Sequence, residues 1–420
     1  MTGNAMIQFE RIQEFKRART AVIDGVNYAH VIAILLYDRS WRALVKRVAF
    51  ALLFACRVPR IEPGHASALL FYSYRDKGRS DYDYIVDGID GLLGDESRLV
   101  EVQNAFSLRQ VVRTLAQLPR ARRASRGLAG GWMSRWVAAL LIAKFVSETE
   151  RLKGLLARHR VAVTFCDAVP YDNLIAQLAA LGGVRTVTAQ HGQYRCLSEA
   201  NMSPDAEAYA NFVSDQLLCW GAATQDEFRR AGVDPARLGI VGWLRRRPGR
   251  VDSFGPPGVF GVMLNGENGE ESNSDLLAAA DDLAAMLDLT YVVRVHPARD
   301  PDRYRKLVGP RCTEIAILQP DDYLARTSFS LAHMSGAVIE LLLVGCPVYV
   351  LDDGRLAEAF MVDGLNFVAK DLIAAVEQDR RDPAVARERL LKLSRWFNDD
   401  TDQDLRIQTA ILGREELADA

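Results

Sequence analysis

The feature that most constrains the fold is an alternation of short apolar runs and helical patterns over residues 161 to 351. The β-branched run Val161 to Cys166 and a second run, Val184 to Thr188, flank a helical pattern at Tyr171 to Leu181. Strands that alternate with helices form parallel sheets covered on both faces. The sequence therefore predicts an α/β fold.

The length predicts two domains, because 420 residues exceed what one hydrophobic core supports. Arg, Pro and Gly interrupt the apolar periodicity at Leu244 to Gly258, and we expect the linker there. We predict two Rossmann-like domains with a deep cleft between them. The first spans 1–245, with a helical extension over 1–60. The second spans 258–383, and a C-terminal helix within 384–420 crosses back to the first.

The strands and helices expected in the second domain follow the same alternation. The predicted strands are Val259 to Leu264, Thr290 to Val295, Glu314 to Leu318, Phe329 to His333 and Pro347 to Leu351, and the predicted helices are Ser274 to Leu287 and Ser335 to Val344. In the first domain, Leu108 to Leu118 has helical spacing, and the Arg-, Ser- and Gly-rich stretch Arg120 to Gly131 is expected to be an exposed loop.

The composition indicates the class of protein and the kinds of partner to expect. Apolar residues make up 49% and charged residues 25%, which is ordinary for a globular protein, and the net charge of -2 gives no reason to expect nucleic acid. The six cysteines show no C-x-x-C spacing, which favours reduced thiols in a cytoplasmic protein and no zinc site. The N-terminal residues lack the apolar core of a signal peptide.

An amphipathic segment at residues 39–60 allows two interpretations. Trp41, Leu44 and Val48 alternate there with basic residues such as Arg42 and Lys46. Such a helix can lie on the anionic inner face of the plasma membrane. Alternatively, the helix packs on its own domain while its basic side chains reach water. This arrangement is the commoner one, and we favour it.

A histidine marks the end of a strand in the first domain. A predicted strand ends at Thr188, and His191 lies three residues further on. Gly192 would let the backbone turn sharply there. An imidazole with a pKa near ~6.5 can take a proton from a hydroxyl at neutral pH, so His191 is a candidate general base. The alternative is a histidine that only holds its loop together. The neighbouring candidates for the acceptor side are Gln190, Gly192 and Tyr194.

Asp172 lies near the end of another strand of the first domain. It is a second catalytic candidate, although capping of the following helix explains an aspartate there equally well.

Strand ends in the second domain carry groups suited to a phosphate. Asn265 and Gly266 form a glycine-containing turn between strand and helix that lacks the G-x-G-x-x-G spacing of a dinucleotide site. Arg294 and His296 are two residues apart on a strand and so project to the same side, where both could donate to a phosphate.

A third group opens an apolar helix. Ser335 is placed to cap it, and Gly336 allows a ligand close to the helix N-terminus, where unpaired N–H groups favour anions. Glu340 lies among apolar neighbours in that helix. A carboxylate there is costly unless it has a partner, such as a ribose diol, although an ordinary solvated helix residue is the alternative.

Together these motifs resemble a known family. The segments Thr188-Ala189-Gln190-His191-Gly192 and Val293-Arg294-Val295-His296-Pro297, followed by Ser335 to Glu340 and Gly345-Cys346-Pro347-Val348, are similar to those of the GT-B glycosyltransferases of bacterial capsule and surface polysaccharide assembly. Related members are the CDP-glycerol glycerophosphotransferases. The similarity covers roughly residues 160 to 351.

The resemblance implies metal-independent transfer from a UDP-, CMP- or CDP-linked sugar, bound as a substrate, to a surface glycan or lipid-linked acceptor, with no cofactor. It implies that His191 and Gly192 serve catalysis or acceptor activation. His296, Ser335 and Gly336 would hold the donor phosphates, with Glu340 near the ribose. Two alternatives stay open, namely transfer of a polyol phosphate by the same fold, and a non-catalytic protein that binds glycan or scaffolds an assembly complex.

Overall fold

A computed structural model describes residues 3–59, 66–73, 80–192, 194, 202, 204–244, 257–266, 270–297, 299–355 and 361–413. The chain divides into two compact units. The first contains residues 1–245 and 399–420, and the second contains residues 246–398. Most of the linker predicted at Leu244 to Gly258 lies outside the described residues.

The first unit contains a six-stranded parallel sheet and two antiparallel sheets of two strands each. Its strands are β1 Val22–Ile23, β2 Val26–Asn27, β3 Phe54–Arg57, β4 Ala68–Tyr72, β5 Ser97–Glu101, β6 Gln103–Phe106, β7 Val161–Thr164, β8 Arg185–Ala189, β9 Gln216–Cys219 and β10 Leu238–Ile240. Its helices are α1 Gly3–Arg17, α2 Tyr28–Ile32, α3 Trp41–Leu53, α4 Ser80–Leu93, α5 Leu108–Ala124, α6 Trp132–Leu156, α7 Pro170–Leu181, α8 Glu207–Ala210, α9 Ala222–Arg230 and α15 Gln403–Leu412.

The second unit has its own six-stranded parallel sheet. Its strands are β11 Val259–Met263, β12 Thr290–Arg294, β13 Cys312–Ala316, β14 Ser330–Ala332, β15 Val348–Leu351 and β16 Asn366–Phe367. Its helices are α10 Glu270–Met286, α11 Pro320–Arg326, α12 Gly336–Leu343, α13 Ala369–Arg381 and α14 Pro383–Phe397. Two Rossmann-like α/β units confirm the predicted fold class.

The strand orders locate where each sheet can bind a ligand. The second sheet runs β13-β12-β11-β14-β15-β16, which is the 3-2-1-4-5-6 order of dinucleotide-binding domains. The first runs β5-β4-β7-β8-β9-β10, the 2-1-3-4-5 order with one further strand. In such sheets the order reverses at a switch point, which lies between β11 and β14 in the second sheet and between β4 and β7 in the first. Ligands bind outside the carboxyl ends of the strands there.

The N-terminal helices belong to the core of the first unit. Ile12, Phe15 and Val31 are fully buried in the same apolar cluster as Leu69 and Phe71 of β4. Lys16 forms a buried ion pair with Glu207, which also accepts a hydrogen bond from the Tyr37 hydroxyl at 2.6 Å. The helical segment predicted at 1–60 is therefore built into the domain, and it ends in the strand β3.

The structure of the stretch Arg120 to Gly131 differs from the prediction. It is not an exposed loop, because α5 continues through Pro119 to Ala124 and a short 3-10 turn follows at Ser125–Gly127. Ala121, Ala124 and Leu128 are buried, and their burial holds this last part of the helix against the core. Among the described residues, no helix has both the length and the hydropathy to cross a bilayer.

Acid should destabilise the fold through His30. Its Nδ1 lies 2.8 Å from Asn211 Oδ1, and burial, with the Lys16 charge second, lowers the pKa of His30 to about 4. In the unfolded chain a histidine has a pKa near ~6.5. Between pH 6.5 and 4 the unfolded chain therefore binds a proton at His30, whereas the folded chain does not. The free energy of unfolding falls as pH drops through that window. We expect a loss of roughly 2–3 kcal/mol by pH 4, measured by urea unfolding.

A His30→Gln variant serves as the comparison, because glutamine cannot titrate. Its unfolding free energy should fall less steeply between pH 7 and 4 than that of the unaltered protein. Identical pH profiles for the two proteins would show that His30 does not carry this dependence.

Candidate functional site

The order of the second sheet brings three of the predicted turns to neighbouring positions. β11 pairs with β12 on one side and β14 on the other, all parallel. Asn265 and Gly266 follow β11, His296 follows β12, and Ser335 follows β14. Their turns therefore lie side by side at the carboxyl edge of one sheet.

The turn after β11 is held in place by α10. The Asn265 N–H donates to Asn273 Oδ1 at 2.8 Å, and Asn273 Nδ2 donates back to the Asn265 carbonyl at 3.1 Å. Asn273 is fully buried and also donates to the Tyr304 hydroxyl at 3.3 Å. This pair of bonds fixes the backbone of the turn, so Gly266 has a defined position.

Gly266 and His296 are in direct contact. A Cβ on Gly266 would lie 3.4 Å from both Cε1 and Nε2 of His296. The imidazole of His296 therefore lies against the backbone of the β11 turn. The structure thus joins two of the residues that the sequence singled out.

Arg294 makes a contact in the other direction. It is the last residue of β12, and its Nε donates to the Leu318 carbonyl at 2.8 Å, in the segment after β13. His296 contacts the turn after β11, on the opposite side of β12. The expected donation by both side chains to one phosphate stays a prediction.

The start of α12 is not capped by a side chain. Ser335 occupies the N-cap position with an extended backbone, φ −160 and ψ 170, but its side chain makes no capping hydrogen bond. The predicted position is right, whereas the predicted capping bond is not formed. A Cβ on Gly336 would meet nothing within 4 Å, so there is open space beside the first turn. An uncapped helix start with open space suits an anion.

The rest of α12 anchors this start. Val338 and Ile339 are fully buried and Leu341 and Leu342 nearly so, whereas Glu340 is half-buried. The helix also packs against α14. The proposed contact between Glu340 and a ribose stays a prediction.

Sequence reasoning missed a cluster at the ends of β14 and β15. His333 Nε2 donates to the Ser272 carbonyl at 2.7 Å, and both the Ser272 hydroxyl and Arg355 Nη1 donate to Asp353 Oδ2 at 2.6 Å. Partial burial alone would raise the pKa of Asp353, but these hydrogen bonds outweigh it and lower that pKa. The cluster ties α10 to the turn that leads into α12. The signal in the sequence was the polar run Asp352-Asp353-Gly354-Arg355 directly after a predicted strand.

In the first unit, Asp172 lies at the switch point but inside the core. It accepts from the Ser73 hydroxyl at 2.6 Å and from the Phe165 N–H at 3.2 Å, and it is fully buried. These bonds join the segments that follow β4 and β7. Its catalytic role stays a prediction, and the geometry gives it a bracing function between two strand ends.

His191 lies at the carboxyl end of β8 with aromatic rings on two sides. The Tyr82 ring meets it edge-on, with ring centroids 5.2 Å apart, and the Tyr194 hydroxyl is 2.8 Å from its Nδ1. Tyr194 in turn packs on Phe228, with centroids 5.2 Å apart. These contacts fix the plane of the imidazole.

Two neighbours of His191 differ from expectation. Gly192 does not have a positive φ and has open space beside it, so the turn does not require a glycine for its backbone angles. Gln190 is buried, and its side chain donates to the Gly192 carbonyl at 2.9 Å and accepts from the Trp220 N–H at 2.7 Å. It thereby joins the ends of β8 and β9, and its predicted contact with an acceptor stays a prediction.

Comparison with known proteins identifies the fold. No family model and no curated protein matches the sequence. Among solved structures, a UDP-GlcNAc 2-epimerase from Neisseria meningitidis bound to UDP-GlcNAc is 11% identical, with a TM-score of 0.50 over 83% of this chain and 100% of that chain. A Listeria monocytogenes protein assigned as a UDP-N-acetylglucosamine 2-epimerase is 13% identical, with a TM-score of 0.51 over 83% of this chain and 96% of that chain.

A glycosyltransferase of kitacinnamycin is 16% identical over 83% of this chain and 98% of that chain, at a TM-score of 0.48 that is too low to add to the argument. At such identities the likeness establishes the fold alone. The chain has the GT-B fold, in which two Rossmann-like units share one polypeptide.

Proposed function

We propose that this protein is a glycosyltransferase that moves a sugar from a nucleotide-activated donor to a surface glycan or lipid-linked acceptor. One observation carries the proposal. The uncapped start of α12 follows β14, Gly266 follows β11, and the switch point of the second sheet lies between these two strands. His296 follows the neighbouring strand β12 and lies beside Gly266. This is the edge where Rossmann-like sheets bind nucleotides.

In this proposal the second unit stabilises the leaving nucleotide. The nucleotide gains negative charge as the glycosidic bond breaks. Arg294, His296 and the N–H groups at Ser335 and Gly336 would offset that charge without reorganisation of solvent, and Glu340 would bind the ribose. A nucleotide-sugar is therefore the proposed substrate, and no cofactor or metal ion takes part. Undiminished activity in EDTA is the expected result.

His191 would act as the general base on the acceptor. In this role the neutral imidazole would donate its Nδ1 proton to the Tyr194 oxygen, and Nε2 would take the proton of the acceptor hydroxyl. Tyr194 thus orients the base, while Gln190 fixes the backbone beside it. The T-shaped contact with Tyr82 further restricts the ring.

Nucleotide binding tests the donor half of the proposal. We expect UDP, CMP or CDP to raise the midpoint of thermal unfolding at millimolar concentration, because any ligand of the native state must do so. A nucleotide concentration of 100 times Kd raises the free energy of unfolding by about 2.7 kcal/mol. Uridine and cytidine serve as matched controls, since they lack the phosphates that α12 would bind. No shift with any nucleotide would favour the non-catalytic alternative.

Product analysis separates the enzymatic alternatives. The two solved structures with TM-scores of 0.50 and 0.51 carry the name of an epimerase, which favours interconversion of a nucleotide-sugar as a second candidate. Mass spectrometry of the products distinguishes three outcomes. Sugar transfer adds one glycosyl unit to the acceptor, and polyol-phosphate transfer adds a phosphodiester. Epimerisation gives, without acceptor, an isomer of unchanged mass that chromatography separates from the unreacted donor.

A further inference from the structure

A second surface of the first unit is formed by the helices α3, α5 and α6. Each of these helices packs against the other two. Even so, they expose large apolar side chains at helical spacing: Trp41 and Val45 on α3, Leu108, Val112 and Leu115 on α5, and Trp132, Met133 and Trp136 on α6. Val112 is 71% exposed and Trp132 72% exposed. We call this set the helical patch.

The contacts between the helices locate two of its tryptophans. α5 and α6 are antiparallel, because Gln110 bonds Ser147 near one end of the pair and the Arg122 guanidinium lies 4.4 Å from the Trp136 ring centroid near the other. The last turn of α3 meets the middle of α6, where Phe50 packs on Phe145 and Lys144 donates to the Phe54 carbonyl. Trp132 and Trp136, in the first turns of α6, therefore lie beside the last turns of α5.

Basic residues predominate in the segments that carry the helical patch, and one of them, Arg120, pairs with Asp24 at 2.8 Å. Residues 39–57 contain Arg39, Arg42, Lys46, Arg47 and Arg57 and no acidic residue, and residues 102–147 contain eight basic residues and no acidic one. The whole chain has a net charge of -2, so the rest of the chain is acidic overall. On α5, the exposed Arg109, Arg113, Arg120 and Arg123 form a stripe beside the apolar stripe.

We propose that the helical patch docks the protein on the surface of an anionic lipid bilayer. Tryptophan rings prefer the headgroup level, aliphatic side chains insert below it, and arginines pair with lipid phosphates. Charge complementarity selects this partner over a neutral surface. The aliphatic side chains that α5 exposes suit the apolar interior of a bilayer, whereas the bases of a nucleic acid stack on aromatic rings. The amphipathic segment expected at 39–60 contains α3, which is one of the three helices of this surface. Helix α5 supplies its longest apolar stripe.

Vesicle sedimentation with the full-length protein tests the proposal. We expect the protein to sediment with vesicles of phosphatidylcholine containing phosphatidylglycerol, to bind vesicles of phosphatidylcholine alone much more weakly, and to lose binding at high salt, because salt screens the arginines. The double substitution Val112→Asp with Leu115→Asp should weaken partitioning by about tenfold or more, since it replaces inserted apolar groups with charges that anionic lipid repels.

The controls separate docking from folding and from catalysis. The double substitution Met286→Asp with Leu307→Asp places the same two charges at side chains of the second unit that are 70% and 46% exposed, and it should leave vesicle binding unchanged. Both variants should unfold at the temperature of the unaltered protein, because the substituted side chains are exposed. Nucleotide-induced thermal shifts should also be unaffected, so this test is independent of the proposed function.

Three results would overturn the assignment. Equal binding to both vesicle types, or no binding to either, would exclude an anionic bilayer. Retention of full binding by the Val112→Asp, Leu115→Asp variant would place the contact elsewhere. A dimer in sedimentation velocity that the same substitutions dissociate, without vesicle binding, would assign the helical patch to a second copy of the chain.

Discussion

Replacing His296 with alanine should lower kcat/KM for the nucleotide-sugar donor by about 100-fold or more, the usual loss when one preorganised donor to a developing charge is removed. The imidazole lies beside Gly266 at the carboxyl edge of the second sheet, and its side chain is exposed where a substrate phosphate would bind. The phosphate would lose a hydrogen bond that strengthens as the leaving group gains charge. Initial rates over a range of donor concentrations measure the effect.

His159→Ala is the matched control for this substitution. His159 Nδ1 donates to the carbonyl of Ala66 at 2.9 Å; Ala66 precedes β4, so His159 lies at the amino edge of the first sheet. It should leave kcat/KM unchanged. A His296→Ala protein that turns over the donor at the full rate would rule out the proposed donor site, provided that its thermal unfolding is unaltered.

Replacing Gly261 with alanine should cost about 3 kcal/mol of stability, near the upper end of what overpacking of a core usually costs. Gly261 lies in β11, the strand beside the switch point, and a Cβ there would lie 2.0 Å from the Tyr323 hydroxyl and 2.3 Å from its Cζ. Tyr323 is fully buried, and its hydroxyl bonds Ser330 Oγ at 2.9 Å, so the ring cannot move without breaking that bond. Urea unfolding followed by tryptophan fluorescence and circular dichroism measures the loss.

Two further variants isolate the steric cause. In a Tyr323→Ala background, the added Gly261→Ala change should cost much less, because the ring it would strike is gone. Gly154→Ala in α6 meets nothing within 4 Å and should leave stability unchanged or raise it by up to about 1 kcal/mol. Equal losses for Gly261→Ala in both backgrounds would contradict the clash.

Local patterns were enough to predict the fold class and most strands. The predicted strands Val259 to Leu264 and Thr290 to Val295 each end one residue beyond β11 and β12. Apolar β-branched runs between two helical layers are buried on both faces, which makes them easy to recognise. β5 was missed because it is an edge strand, in which only Val100 is buried among polar neighbours.

The candidate site could be predicted in its parts but not in its arrangement. Strand ends indicated Asn265, His296 and Ser335, since each follows a buried run. Their adjacency depends on β14 pairing with β11, a contact between segments about seventy residues apart that no local pattern encodes. For the same reason the cluster of Ser272, His333 and Asp353 was not foreseen, because its members come from three separate segments.

The division of the chain also has a consequence for biosynthesis. The first unit is left at residue 245 and resumed at residue 399, so the second unit is an insertion within it. Arg185, at the start of β8, bonds the carbonyls of Ala410 and Ile411 in α15, and the Asp399 N–H donates to Trp220. Domains usually fold in the order of their synthesis. Here the inserted unit can fold on the ribosome first, whereas the first unit is completed only when the residues from 399 onward emerge.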